Sequence, residues 1–170
     1  MLVAFTGRPG TGKTTLARLT AAELKAAHLR IDAIEAAVIR SGLAEPPLGP
    51  VGYAVAHEVA VSCLAAGTSV VVDAVAPVPA ARSGWLELAR AAGTSVRMIE
   101  VVVSDPVEHR RRVEGRRSDV AGLVVPTWRQ VTALAYEPWD TSRDGPRLVV
   151  VNDGSLDDAM SRVRAYLGTI

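Results

Sequence analysis

Nine residues near the start of the chain, GRPGTGKTT from Gly7 to Thr15, carry the spacing G-x-x-x-x-G-K-T. The apolar run MLVAF precedes them and TLARLTAAELKAA follows. A glycine-rich turn between a strand and a helix is the context in which this spacing holds phosphate. Gly7, Gly10 and Gly12 permit backbone conformations that a Cβ would obstruct, so N–H groups can converge on an anion. The helix that follows adds the positive end of its dipole at the same place. Lys13 is placed to reach the terminal phosphates, and Thr14 offers a hydroxyl to magnesium. Lys13 and Lys25 are the only lysines in the chain, so lysine at the motif position stands out from an arginine-biased composition. The predicted nucleotide-binding residues here are Gly7, Arg8, Pro9, Gly10, Thr11, Gly12, Lys13, Thr14 and Thr15.

Other chemistry-bearing residues fall at the ends of predicted strands, where an open parallel sheet places its ligands. They are Asp32, Asp73 and the pair Asn152 and Asp153. Two carboxylates at two strand ends suit phosphoryl transfer: one organises magnesium, and the other accepts or orients the proton of an attacking hydroxyl. Arg82, beyond Asp73, is expected to reach the acceptor. The run HRRRVEGRR holds Arg110, Arg111, Arg112, Arg116 and Arg117. On a continuous helix Arg112 and Arg116 share a face, and closure of a lid would bring them to the developing charge. His109 is read as part of that basic surface, His57 as a packed histidine in an apolar helix, and the three tryptophans as packing residues. No cysteine or histidine spacing suits zinc, so magnesium carried by a nucleotide is the one metal expected.

Short β-branched runs alternating with alanine- and leucine-rich segments predict a parallel sheet covered by helices. The expected strands are LVAFT, a short piece in LRID ending at Asp32, SVVVD ending at Asp73, SVRMIEVVV ending near Val103, and RLVVV ending at Val151. Helices are expected over 13–27, 33–40, 51–66, 79–92, 106–117, 126–136 and 156–167. The last has an apolar stripe of Leu156, Ala159, Met160, Val163 and Leu167 after a capping start at Ser155. SGLAEPPLGP, 41–50, is too rich in proline and glycine for a regular element and is read as an acceptor-side loop. A lid is expected over roughly 110–126.

The chain of 170 residues, 49% hydrophobic, suits one domain with a full core. A net charge of +1 and a 4% aromatic content argue against nucleic acid as a partner. The single cysteine, Cys63, lies among apolar neighbours and reads as a buried thiol in a reducing compartment. The N-terminus has no signal-peptide pattern, and the longest apolar run is too short to span a bilayer and contains His57 and Glu58, so the location expected is the cytoplasm.

Together, GRPGTGKTT, RIDAIEAA, VVVDAV followed by Arg82 and Trp85, and HRRRVEGRRSD followed by PTW and YEPW resemble small bacterial P-loop kinases of the AAA-type ATP-binding group. That group is similar to chloramphenicol phosphotransferase, gluconate kinase, zeta-toxin kinases and the kinase domain of polynucleotide kinases. The resemblance implies a three-layer α/β P-loop NTPase fold, a five-stranded parallel sheet of order 2-3-1-4-5 with helices on both faces and a small lid. In that order Asp73 is one strand spacing, about 4.8 Å, from the first strand, and Asp32 about 10 Å. Asp73 then joins Thr14 at the metal, and Asp32 serves as base. The resemblance also implies ATP with magnesium, a small-molecule hydroxyl acceptor, and an adenine border at Asn152 and Asp153. The catalytic set is Lys13, Asp32, Arg112 and Arg116; the acceptor set is Asp32, Asp73 and Arg82. The alternatives are a nucleoside or polynucleotide 5′-hydroxyl kinase, and a partner-dependent ATPase or nucleotide-binding module, although the span from Gly7 is expected to hold no second domain. Neither the acceptor nor the oligomeric state is readable from these residues.

Overall fold

A computed structural model describes residues 1–168. Its strands are β1 (Leu2–Thr6), β2 (Ala27–Arg30), β3 (Val70–Asp73), β4 (Val96–Val102) and β5 (Arg147–Val151). Its helices are α1 (Lys13–Leu24), α2 (Ile31–Arg40), α3 (Val51–Ala65), α4 (Pro79–Ala91), α5 (Pro106–Gly115), α6 (Trp128–Ala133), α7 (Thr141–Asp144) and α8 (Leu156–Leu167). The five strands form one parallel sheet in the order β2-β3-β1-β4-β5, as the resemblance implied. This is the P-loop NTPase fold.

Alternation along each strand divides the core into two layers. Val3, Phe5, Val71, Ile99 and Val101 face α1 and α8, meeting Leu16, Ala17, Met160 and Val163. Leu2, Ala4, Val70, Val72 and Met98 face the opposite side, meeting Ile31, Ala56, Ala60, Trp85 and Leu88. Because both faces are covered, β3 is a continuous valine run rather than an alternating one. Each fully buried large side chain in these layers contributes roughly 1.5–3 kcal/mol relative to exposure.

Four boundaries differ from the sequence expectation. Helix α1 stops at Leu24 because Lys25 turns into the left-handed region (φ 50°), which frees Ala27 to enter the sheet beside Val70. Strand β2 then ends at Arg30, so Asp32 lies in the first turn of α2 instead of closing a strand. Helix α5 ends at Gly115 and Arg116 is extended (φ −71°, ψ 132°), so Arg112 and Arg116 do not share a helical face. The helix expected over 126–136 is the six-residue α6, begun by a reciprocal Thr127–Gln130 capping box, and the four-residue α7 was not anticipated.

Candidate active site

The phosphate loop connects β1 to α1, and its glycines have structural reasons to be glycine. Gly7, Gly10 and Gly12 have φ of 134°, 85° and 90°. A Cβ on Gly10 would stand 2.5 Å from Val113 Cγ2, and one on Gly12 2.4 Å from Asn152 Nδ2. The loop is thus enclosed by α5 on one side and the turn after β5 on the other. Thr11 donates its hydroxyl to the Arg8 carbonyl at 3.0 Å, closing the turn from within. Lys13 is 4% exposed, held at the floor of the cleft.

That cleft has a volume of about 410 Å³. Gly10, Gly12, Lys13, Thr14 and Thr15 form its base. Arg111, Arg112, Arg116 and Arg117 line it from above, so five cations with one acid, Asp119, surround the space over the loop. Arg112 is held in place on two sides: Nε donates to Glu108 at 2.6 Å and Nη1 to the Asn152 carbonyl at 2.7 Å. Arg111 and Arg112 together hold the Glu108 carboxyl down at about 2. Arg116 enters the same cleft because the chain leaves α5 in an extended conformation.

A second cavity, about 370 Å³, lies across the loop residue Pro9. Its polar members are Asp32 and Glu35 from α2, Tyr53 from α3 and Gln130 from α6; Ile31, Val75, Pro77, Val131 and Leu134 supply apolar wall. Arg116 Nη2 stands 4.0 Å from Asp32 Oδ2, which joins the two spaces at one ion pair. Tyr53 accepts a hydrogen bond from the Ala76 N–H at 2.9 Å, and burial pushes its hydroxyl pKa up to about 12, so it stays a neutral donor.

Sheet register accounts for Asp73 and for a residue that sequence reasoning missed. Arg30, Asp73 and Phe5 are in line across β2, β3 and β1. Arg30 Nε therefore lies 3.6 Å from Asp73 Oδ2, while its two terminal nitrogens donate to both oxygens of Asp119 at 2.8 and 3.0 Å. Asp73 Oδ1 is buried with no partner among the described residues. No group of three or more His, Cys, Asp or Glu suited to a metal occurs among the described residues. The orphaned Asp73 oxygen and the cleft-lining Thr14 hydroxyl nevertheless fit a hard cation that arrives with phosphate ligands of its own. Arg30 opens the RIDAIEAA segment but has no role in the sequence reading, and the pairing of β2 with β3 is what reveals one.

Other predicted residues are used structurally. Arg82 was expected to reach the acceptor, but it is fully buried and all five of its N–H groups are committed. They donate to the Ala76, Pro77, Glu137 and Pro138 carbonyls and to Asp144 Oδ2 at 2.9 Å. None is left for a substrate, which corrects the sequence reading. The Arg8 side chain turns away from the loop, donating to the Val131 and Leu134 carbonyls at 2.7 and 3.0 Å with its guanidinium over Tyr136. Asn152 is turned inward, donating to the Thr11 carbonyl at 2.8 Å, and Asp153 accepts from the Ser104 N–H and hydroxyl, so both side chains brace loops. His109, read from sequence as surface, is buried; its Nε2 donates to the Pro9 carbonyl at 2.8 Å and its ring meets Trp128 edge-on.

The class defined by this fold and loop is the P-loop NTPases, a group of nucleotide-binding proteins. Residues 2–134 match the profile of the AAA domain family, and the chain belongs to that family. Among solved structures, a "putative kinase" from Chloroflexus aurantiacus J-10-fl is 25% identical, with a TM-score of 0.69 and coverage of 98% of this chain and 95% of that one. A sugar kinase from Janibacter sp. HTCC2649 is 18% identical, with a TM-score of 0.72 over 98% and 94% of the two chains. Kti12 of Chaetomium thermophilum, in complex with ADP-AlF3, is 17% identical, with a TM-score of 0.74 over 100% and 99%. No curated protein sequence matches the chain. No helix among the described residues is long and apolar enough to cross a membrane.

Proposed function

We propose that this protein is an ATP-dependent kinase that transfers the γ-phosphoryl group to a hydroxyl of a small, non-nucleotide acceptor. The observation that carries this reading is the meeting of the two cavities at Asp32 and Arg116. A hydrolase would need no second enclosed space beyond its phosphate loop, whereas a kinase must hold an alcohol in line with the leaving phosphoryl group.

Each residue has a role that follows from its surroundings. Loop N–H groups and Lys13 hold the phosphates, and Arg112 and Arg116 stabilise negative charge that grows on the transferred group. Asp32 lies at the junction, where it can accept or orient the acceptor proton. A magnesium ion arriving with ATP would be held by Thr14 and Asp73, where it would supply positive charge to the phosphates. The turn at Asn152 and Asp153 borders the nucleotide through its backbone, since both side chains are already engaged. On this reading the acceptor side comprises Asp32 and Asp73 together with Tyr53 and Glu35, which line the second cavity, and excludes Arg82, whose N–H groups are all committed.

The test is ADP release from Mg-ATP across sugars, polyols, hydroxylated antibiotics, amino alcohols, nucleosides and 5′-hydroxyl oligonucleotides, with Lys13→Ala as blank. Acceptor-stimulated release accompanied by a phosphorylated alcohol is the expected result. Stimulation confined to oligonucleotides or nucleosides would move the assignment to a 5′-hydroxyl kinase. Slow hydrolysis indifferent to every acceptor would favour a partner-dependent ATPase.

A further inference from the structure

The second cavity has a chemical bias of its own. Two carboxylates line it, Asp32 and Glu35, one helical turn apart on α2, and no arginine or lysine does. The cations that approach from the nucleotide side are already matched: Arg116 with Asp32, and Arg30 with Asp73 and Asp119. Glu35 has neither a hydrogen bond nor an ion pair among the described residues. Its stem lies so close over Gly52 that a Cβ there would stand 2.6 Å from Glu35 Cγ, which holds the carboxylate at the cavity wall. One negative charge is therefore left uncompensated in a space whose remaining wall is largely apolar.

The apolar wall also continues. Tyr53 and Pro77 are shared with an adjoining cavity of about 450 Å³ between α3 and α4, lined by Val78, Ala80, Ala81 and His57. His57 adds no charge there, because burial lowers its pKa and its ring is packed edge-on against Trp85 at 4.1 Å. An anionic acceptor would meet two acids and no cation of its own. A polyol would leave most of its hydroxyls against Val75, Pro77, Val131 and Leu134, where a lost hydrogen bond is costly.

We infer that the acceptor is an amino alcohol with an apolar body: its hydroxyl meets Asp32, its ammonium pairs with Glu35, and its body packs along Tyr53 and Pro77. This rests on the kinase reading for the fate of the hydroxyl, but the ligand class is set by the cavity alone. Burial, and after it the Asp32 charge, push the Glu35 carboxyl above its ordinary range, and a bound ammonium would oppose that push by favouring the ionised form.

Three probes share a benzyl body and one hydroxyl and carry different charges: phenylalaninol (ammonium), phenylpropanol (neutral) and phenyllactate (carboxylate, its hydroxyl one carbon nearer the ring). Calorimetric titration into the full chain holding a non-hydrolysable ATP analogue should give phenylalaninol about tenfold tighter binding than phenylpropanol, with phenyllactate weakest. In Glu35→Gln the ammonium advantage should shrink to about twofold or less, with phenylpropanol affinity unchanged, which also reports that the variant is folded. Equal binding of the ammonium and neutral probes, strongest binding of phenyllactate, or an ammonium preference that survives Glu35→Gln would each overturn the inference. Mg-ATP turnover is read separately. Phenylalaninol bound with the expected preference but never phosphorylated would count against the kinase reading while leaving the ligand class intact. Transfer to phenyllactate in preference to phenylalaninol would do the opposite.

Discussion

Lys13 lines one of the two cavities and Asp32 the other, so under the proposed transfer their removal should have different signatures. In Lys13→Ala the phosphates lose their buried cation, so ADP formation should fall by about 10²–10³-fold, measured in a coupled assay. In Asp32→Asn the nucleotide cleft is intact; affinity for ATP should stay within about twofold while transfer to the acceptor falls about 10²–10⁴-fold. An unchanged transfer rate would remove Asp32 from the role of base. Arg82 should behave as neither. Its five donors and the Asp144 ion pair are wholly buried, so Arg82→Met should cost about 3–5 kcal/mol of stability, because Asp144 would remain buried with part of its pairing lost. Chemical denaturation would measure the loss, and nucleotide affinity of the protein still folded should be unaltered.

Helix α5 serves as a wall of the phosphate loop and leads into the segment 116–126, which we propose acts as a lid. Val113 and His109 close over Gly10, so Gly10→Ala would both push α5 away and force a side chain into a left-handed backbone. The expected result is weaker ATP binding together with faster hydrogen exchange in α5, and normal exchange in β1 and β3. Past α5, the segment 116–126 is tied back by the Arg30–Asp119 pair and by Arg40, which donates to the Ala121 carbonyl. Arg30 also faces Asp73, so the same guanidinium touches the proposed lid and the proposed metal acid. Asp119→Ala should raise the exchange of amides near 118–122 by a few-fold, in keeping with the small energy of an exposed ion pair. A segment equally protected in that variant would show that Arg40 and packing hold it unaided.

For the whole molecule, stability should depend on pH in two stages. Burial lowers the pKa of His28 and His57 below the ordinary value near 6.5. Below about 6.5 the unfolded chain binds protons that the folded chain refuses, so unfolding free energy should decline as pH falls. The second stage belongs to the lowered carboxyls, the buried Asp144 chief among them, whose carboxyl is lowered first by hydrogen bonds from Arg143 and also by Arg82. Its contribution is present above the unfolded carboxylate pKa, about 4, and is lost as pH drops through the folded value. Denaturant titrations from neutral to acid pH would check both, with His57→Gln expected to remove the His57 share of the first stage, leaving that of His28, and to leave the second. The sequence by itself determined the phosphate loop, the alternation of strands and helices, and through its resemblance the sheet order, because these rest on local spacing and on hydrophobic period. It placed Lys13, Thr14 and Asp73 in the segments where they are found. Only the tertiary structure decided that Arg82 is a buried brace, that Arg116 reaches the cleft by leaving its helix, and that Arg30 and Glu35 face the site. Those outcomes depend on which strands are neighbours, where a helix stops and which carbonyls converge on one guanidinium. Such contacts join residues as far apart as Arg82 and Asp144, or Arg30 and Asp119, and no local pattern in the chain encodes them.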